Sequence, residues 1–123
     1  MIEITDNYYS FAGFSDVCHV LYRNIERFGL SASIILCKLS AADSGDVQKD
    51  ISFELQETIG QSIGNKDAYT KYSDTQFVIL VMGDQAECDR VCSMIESNLA
   101  EKTGKKIDVE FSCSPLDRLK PID

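Results

Sequence analysis

The sequence has 123 residues, 44% of them hydrophobic and 9% aromatic, which fits one globular domain with a single core and excludes a disordered chain. Twenty acidic against twelve basic residues give a formal charge of -8, and such a chain repels a phosphate backbone, so we expect no direct nucleic-acid binding. The apolar runs are too short to span a bilayer and no leader-like segment opens the chain, so we expect no membrane contact and a cytoplasmic location.

The first third of the chain predicts a lead-in, a helix and a strand. Residues 1–14 carry aromatic side chains without a regular period, which indicates a lead-in that is packed loosely or contributes a short extended piece. From Ser15, a capping residue type, apolar side chains recur at helical spacing as far as Gly29. The unbroken apolar run over 32–39 predicts a strand that is covered on both faces and therefore lies at the centre of a sheet.

The middle of the chain predicts a second helix and a hairpin. After a polar loop, apolar side chains recur at steps of four residues, and only a helix aligns such positions on one face. These positions are Val47, Ile51, Leu55, Ile59 and Ile63. Two strand-like runs, 67–72 and 75–82, then flank the turn-forming pair Ser73 and Asp74, which predicts a β-hairpin.

The last third predicts a helix, a strand and a tail. Asp84 with Glu87 three residues later forms a capping box before an amphipathic helix that ends near Gly104. Residues 106–113 alternate as a strand does, and 115–123 form a polar tail. The order of helix, strand, helix, hairpin, helix and strand predicts an α+β domain, with a mostly antiparallel sheet and helices packed on it.

Cysteine and histidine provide no convincing site. The five cysteines are an odd number spread through apolar segments, which predicts reduced thiols: Cys18, Cys37, Cys88, Cys92 and Cys113. Cys88 and Cys92 have the spacing of a chelating pair, but no His or further Cys follows at zinc-ligand spacing, so we interpret both as core-filling. The single His19 falls on the polar side of the first helix, and we interpret it as solvated.

The predicted hairpin carries a resemblance to a known family. It reads Lys71-Tyr72-Ser73-Asp74-Thr75-Gln76-Phe77 and continues into an apolar strand. This segment resembles the signature hairpin of GGDEF domains, the diguanylate cyclases, usually written R-Y-G-G-D/E-E-F. The resemblance extends to the last strand, where "VEFSCS" is similar to the family's V-S-I-G strand. It implies a GGDEF or nucleotide-cyclase-like fold for 15–114, degenerate because most signature residues are replaced.

The resemblance implies a chemistry whose metal ligands this sequence lacks. In the family, two Mg²⁺ ions bridge triphosphate oxygens, and carboxylates at the end of the first strand and at the third hairpin residue hold them. The matching positions here are Lys38, Ser40 and Thr75, and none of them is a carboxylate. A lysine at such a position repels the cation that a carboxylate would bind.

The remaining signature positions also depart from the family. Ser73 and Asp74 replace glycines whose missing Cβ lets a nucleotide approach closely, and Gln76 replaces the usual Glu. The resemblance therefore implies no catalytic residue, no bound metal and no cofactor, with a vestigial hairpin over Ser73–Phe77.

A second family site is also incomplete. Before the hairpin, the family often carries an inhibitory product site, R-x-x-D, and the matching stretch here is Gly64-Asn65-Lys66-Asp67. Asp67 is retained, whereas the Arg is missing and Lys66 lacks its bidentate fork. We expect a vestigial inhibitory site at Asp67.

Three other carboxylates leave an alternative open. Asp43, Asp46 and Asp74 lie in loops that can meet at one edge of the sheet, where they would build a replacement site. The simpler interpretation is that Asp43 and Asp46 cap the second helix and that Asp74 is a turn residue.

The form Tyr-Ser-x-x-Gln-Phe resembles variant domains attached to bacterial transcriptional activator proteins. This implies an inactive regulatory or sensory module of a larger bacterial signalling or transcription-regulatory protein, with the other domains of the parent regulator as partners. A homodimer and a nucleotide ligand are further candidates. The alternative is a nucleotide-binding domain or weak nucleotide cyclase in cyclic di-GMP signalling.

Overall fold

The computed structural model describes residues 8–28, 31–39, 45–64, 67–73, 75–104 and 107–116, with backbone only for 25–28 and 45–50. The elements occur in the predicted order: α1 (Phe11–Phe28), β1 (Ser33–Leu39), α2 (Gly45–Ser62), β2 (Ala68–Ser73), β3 (Gln76–Val81), α3 (Gln85–Thr103) and β4 (Val109–Pro115). Several predicted positions lie outside the described residues: Gly29, Ser40, Asp43, Asn65, Lys66 and Asp74. Asp46 is described in its backbone alone.

The strands form one sheet in the order β2-β3-β1-β4, and every neighbouring pair is antiparallel. The predicted central position of the first strand is confirmed, since β1 pairs with β3 on one side and β4 on the other. In register, Ile35 lies opposite Ile79 on β3 and Cys113 on β4. The α+β class and the antiparallel sheet are therefore as predicted.

One face of the sheet, called here the inner face, packs against α2 and α3. Alternate residues of the strands point to it, because successive strand side chains point to opposite faces. The stripe predicted on the second helix is confirmed where its side chains are described, with Leu55 and Ile59 fully buried and Ile51 and Ile63 partly buried. The fully buried side chains of this core include Ile35, Tyr69, Phe77, Ile79, Val91 and Ile95.

The opposite face, called here the outer face, is covered by α1 over only part of its area. Phe14 and Cys18 of α1 pack on Ile34, Val78 and Leu80, at the end of the sheet where β1 begins. Towards the end of β1 the same face is open, and Leu36 is 49% exposed although it lies on an interior strand. The position of α1 thus divides the outer face into a covered half and an open half.

The first helix begins five residues earlier than predicted. The expected cap was Ser15, but α1 starts at Phe11, and the hydroxyl of Ser10 accepts a hydrogen bond from the backbone N–H of Gly13 at 3.2 Å. Satisfying an orphan amide of the first turn in this way stabilises the earlier start. Phe14, expected in the lead-in, is fully buried.

The end of the chain also differs from its prediction. The predicted caps of the third helix are confirmed: Asp84 accepts hydrogen bonds from the first-turn amides, and Gly104 ends the helix with a φ of 75°. The last strand continues to Pro115 instead of ending at Cys113. Leu116, expected in a polar tail, is buried because its backbone N–H donates to the carbonyl of Ala32 and its side chain joins the α1 core. In the part of the chain described, the helices lack the length and apolar composition needed to cross a membrane.

Candidate functional site

The open half of the outer face is a cleft of about 440 Å³ at the end of β1. Its apolar floor includes Leu36 and Val78, and the ring of Tyr72 lies at its rim with 55% of the residue exposed. The lining also includes the polar side chains of Lys38, Gln76, Glu110 and Ser112. The volume and the mostly apolar lining are typical of small-molecule sites, which span roughly 300–1,000 Å³.

The sheet register places three of these polar side chains in one row. Lys38 on β1 lies directly opposite Gln76 on β3 and Glu110 on β4. Residues directly opposite in an antiparallel sheet have Cβ atoms roughly 4.5–5.5 Å apart, so these three side chains are neighbours. One cation is therefore flanked by an amide and a carboxylate.

The hairpin next to this row is stabilised by its own side chains. The hydroxyl of Ser73 donates to Oε1 of Gln76 at 3.1 Å and accepts from the backbone N–H of Thr75 at 3.3 Å. The pairing of β2 with β3 shifts between Lys71 and Ser73, at the predicted turn. The polar atoms of Ser73 thus support the turn itself.

The structure brings two of the three predicted metal positions together. The backbone N–H of Leu39 donates to the carbonyl of Thr75 at 2.8 Å, so Thr75 lies beside the residue that follows Lys38. The third position, Ser40, lies outside the described residues. The convergence of the strand end and the hairpin is observed, while the role of these positions remains a prediction.

The donor atoms at this junction do not fit a pair of magnesium ions. Mg²⁺ takes hard oxygen ligands, and Lys38 offers an ammonium group whereas Thr75 offers a hydroxyl. Glu110 is a single carboxylate beside that ammonium group. Among the described residues, no three His, Cys, Asp or Glu side chains lie close enough to hold a metal.

Asp67 is a structural link between two backbone segments. Asp67 is 8% exposed. Its Oδ2 accepts a hydrogen bond from the backbone N–H of Gly64 at 2.8 Å, and its Oδ1 accepts one from the backbone N–H of Met82 at 2.9 Å. These bonds join the end of α2 to the end of β3, across the entry to the hairpin. The carboxylate that the resemblance assigned to an inhibitory site therefore uses both oxygens for backbone hydrogen bonds.

An aromatic cluster connects the cleft to the start of the chain. The ring of Phe11 lies 5.3 Å from that of Tyr72, and Tyr8 packs edge-on against Tyr69, also at 5.3 Å. Tyr8 forms a parallel β-bridge with Tyr69, and the backbone N–H of Tyr9 donates a hydrogen bond to the carbonyl of Tyr69. The bridge agrees with the short extended piece that was one expectation for the lead-in. The ring contacts were not predicted, because the aromatic residues of the lead-in have no regular period.

Sequence analysis also missed Glu110 as a cleft residue. Its strand was predicted, but pairing of the last strand with the first, and hence the meeting of Glu110 with Lys38, depends on the strand order. The alternation of Val109, Glu110 and Phe111 was the available indication that Glu110 faces away from the core.

The cysteines behave as core residues. Cys18, Cys37 and Cys88 are buried, and Cys92 and Cys113 are partly buried against the inner core. Burial raises the pKa of Cys37 to about 12 and that of Cys18 to about 11. Desolvation likewise raises the pKa of Cys92, with a further contribution from Cys113. His19 is exposed on α1, in agreement with its predicted solvated position.

Comparison with known proteins gives matches in structure alone. No protein-family model and no curated protein matches the sequence. A DGC protein from Thermotoga maritima aligns with a TM-score of 0.74 and 15% identity, covering 90% of this chain and 83% of the other. The FimX GGDEF domain from Pseudomonas aeruginosa aligns with a TM-score of 0.72 and 11% identity, covering 98% of this chain and 82% of the other.

A third similar structure is a microbial GGDEF domain described in a novel interaction mode with bis-(3′,5′)-cyclic di-GMP. It aligns with a TM-score of 0.70 and 13% identity, covering 91% of this chain and 76% of its own. At these identities the comparison addresses architecture, and it agrees with the α+β sheet and helix order described above. The chain has the fold of GGDEF domains.

Proposed function

We propose that this chain is a catalytically inactive GGDEF-fold module that serves a regulatory or sensory role in a larger bacterial signalling or transcription-regulatory protein. The observation that supports this proposal is the presence of Lys38 at the strand end, where the next residue, Leu39, donates a backbone hydrogen bond to Thr75 of the hairpin. An ammonium group there opposes a divalent cation, and activation of a ribose hydroxyl by two metals needs anionic oxygen ligands.

The hairpin supports the same proposal. Ser73 and Gln76 bond to each other, and Thr75 bonds to Ser73, so these side chains stabilise the turn. A module that no longer turns over nucleotide keeps its fold for contacts with the other domains of its parent protein. Attachment to a transcriptional activator is the context that the Tyr-Ser-x-x-Gln-Phe hairpin favours.

A GTP turnover assay with Mg²⁺ and with Mn²⁺ tests the proposal, with an active diguanylate cyclase as the positive control. We expect no cyclic di-GMP from the wild type. We expect none from the variant Ser73→Gly, Asp74→Gly, Thr75→Asp and Gln76→Glu either, because Lys38 remains at the strand end. Turnover by the wild type that a Thr75→Ala substitution abolishes would overturn the proposal.

The second candidate is a nucleotide-binding domain or weak cyclase in cyclic di-GMP signalling. The observation in its favour is the open cleft of about 440 Å³ beside the hairpin. In the same assay, slow turnover that increases in the quadruple variant would favour this candidate.

A further inference from the structure

We propose that the edge of the sheet formed by β4 is a docking site for an extended segment of the parent regulator, in which basic side chains alternate with apolar ones. The segment pairs antiparallel with β4 and adds a further strand to the sheet. This inference rests on the proposed function, since a regulatory module acts through contacts with the other domains of its parent protein.

The two edges of the sheet differ in what covers them. At the β2 edge, Tyr8 bridges Tyr69, and the backbone N–H of Tyr9 donates to the carbonyl of Tyr69 at 3.0 Å. At the other edge, β4 pairs with β1 alone within the part of the chain that the structure describes. The far side of β4 is therefore the edge at which an added strand finds backbone groups to pair with.

The hydrogen-bond register identifies the backbone groups of β4 that point away from the sheet. The N–H of Leu116 donates to the carbonyl of Ala32 at 2.9 Å, so every second residue from Leu116 back along β4 bonds to β1. Leu39 agrees with this alternation, since its N–H donates to Thr75 of the hairpin and not to β4. The residues in between turn their backbone groups outward: Val109, Phe111, Cys113 and Pro115, whose ring leaves only the carbonyl.

The inner face at this edge is incompletely covered. The inner-face residues of β1 are buried, whereas the residues directly opposite on β4 are only partly buried against the same core. The pairs are Ile35 with Cys113, Cys37 with Phe111 and Leu39 with Val109. An added strand lies about 4.8 Å beyond β4, and apolar side chains on its inner face would remove this exposed surface from water.

The outer face at this edge determines the charge of the partner. Glu110 is exposed there, and Asp108, which precedes β4, is exposed as well. Lys38 lies opposite Glu110 on the β1 side and balances one carboxylate, so the pair of acids keeps a negative charge. The formal charge of -8 opposes pairing of β4 with a second copy of the chain and favours a strand with basic residues.

The probe is a synthetic peptide of the length of β4 in which valine and lysine alternate, blocked at both ends. Fluorescence anisotropy of the labelled peptide, titrated with the wild-type chain, should show saturable binding. In antiparallel pairing the valines lie opposite the outward residues, so the valine N–H groups point to β4 and the lysine N–H groups point away. Methylation of the valine N–H groups should weaken binding at least tenfold, whereas methylation of the lysine N–H groups should retain it.

Reversal of the edge charge tests the chemistry of the partner. The double variant Asp108→Lys with Glu110→Lys should bind the lysine peptide at least tenfold more weakly and should bind a glutamate peptide of the same pattern more tightly. The matched control is Asp16→Lys with Glu57→Lys, which makes the same change in charge at exposed positions on α1 and α2. At physiological ionic strength the control should leave binding of the lysine peptide unchanged. Circular dichroism verifies that each variant remains folded.

Three results with the peptides would overturn the inference: no saturation at millimolar chain, equal binding of the two methylated peptides, and unchanged binding in the charge-reversed variant. Binding that appears only after deletion of residues 117–123 would assign the edge to the chain's own last residues and would also overturn it. A dimer in sedimentation that the charge reversal strengthens or dissociates would assign the edge to a second copy, with the same consequence. Production of cyclic di-GMP in the turnover assay would instead refute the inactive module, so the two failures are distinguishable.

Discussion

The two faces of the sheet are made by the same strands, yet they differ in how completely helices cover them. On β1, Cys37 is 1% exposed towards the inner face, whereas its neighbour Leu36 is 49% exposed towards the outer face. The inner face has α2 and α3 along its length, while α1 covers only the half of the outer face around Ile34. The comparison separates the part of the sheet that stabilises the fold from the part that is open to solvent.

The contrast has an energetic basis. Shortening a buried side chain on the inner face leaves a cavity in the core. Shortening an exposed side chain on the outer face leaves space that water fills, at little cost in stability. Exposed apolar surface on an interior strand is retained more readily where a ligand or partner covers it for part of the time. Substitutions on the two faces are therefore expected to separate stability from binding.

The largest effect is expected at Ile79 on the inner face. Ile79→Ala should lower the free energy of unfolding by about 2 to 5 kcal/mol, because Ile79 is fully buried between the sheet and its helices. The matched control is Leu36→Ala, which removes a similar aliphatic group from the adjacent strand and should cost under about 1 kcal/mol. Urea unfolding monitored by circular dichroism measures both, and equal costs would remove the distinction between the faces.

The next effect is expected at Asp67. Asp67→Ala should cost about 2 to 3 kcal/mol, since it leaves the backbone N–H groups of Gly64 and Met82 without their charged acceptor. Asp67→Asn keeps one acceptor oxygen and should cost less. The same urea experiment measures both variants. If Asp67→Ala leaves the free energy of unfolding unchanged, the carboxylate has no structural role. Its assignment to a ligand site would then be open again.

The cysteines test whether the two cores remain closed in solution. Cys18 lies on the side of α1 that packs on the sheet, and Cys37 lies in the inner core. Both should react with a thiol reagent at least about tenfold more slowly in the native than in the unfolded chain. The measurement is the rate of reaction at neutral pH with and without denaturant. Fast native labelling of Cys18 alone would show that α1 opens while the inner face stays closed.

The raised pKa of the Cys37 thiol predicts that the protein is less stable at alkaline pH. Burial raises the pKa of Cys37 from 9.0 to about 12, so between these values the unfolded thiol ionises while the folded one keeps its proton. The unfolded state then binds fewer protons, and the free energy of unfolding falls as the pH rises from about 9 towards 12. A Cys37→Ala variant is the control and should show a weaker decline.

The smallest effect is expected in the hairpin. Gln76→Ala removes the bond from Ser73 at a partly exposed site and should cost under about 1 kcal/mol. Thermal unfolding measures it. A cost comparable to that of Ile79→Ala would place the polar side of the hairpin among the structural elements and would contradict the division between the faces.

Hydropathy and turn chemistry were enough to predict the element order. The period of four on α2, the apolar run of β1 and the N-cap at Asp84 each depend on interactions within one turn or one strand, and each was confirmed where the structure describes it. The convergence of Lys38 with Thr75 was predicted through the resemblance, and the structure shows the two segments in contact. The helix period, the strand run and the N-cap can be predicted from the sequence because they join residues that are near one another in the chain.

The errors arose where distant segments meet. α1 extends further towards the N-terminus than predicted, and Phe14 within that extension packs on the sheet. Leu116 is buried because β4 brings it next to Ala32. Neither burial is visible in the local pattern. In each case the distant partner determined the outcome.

The sequence by itself determined the chemistry of the site: a lysine at the strand end and no glycine pair or acidic ligands in the part of the hairpin that the family uses. Only the tertiary structure decided what surrounds that lysine. The strand order β2-β3-β1-β4 puts Gln76 and Glu110 on either side of Lys38, and α1 stops short of the row and leaves it open. The physical reason is that side-chain identity is a local property, whereas strand register and helix coverage depend on how the whole core packs.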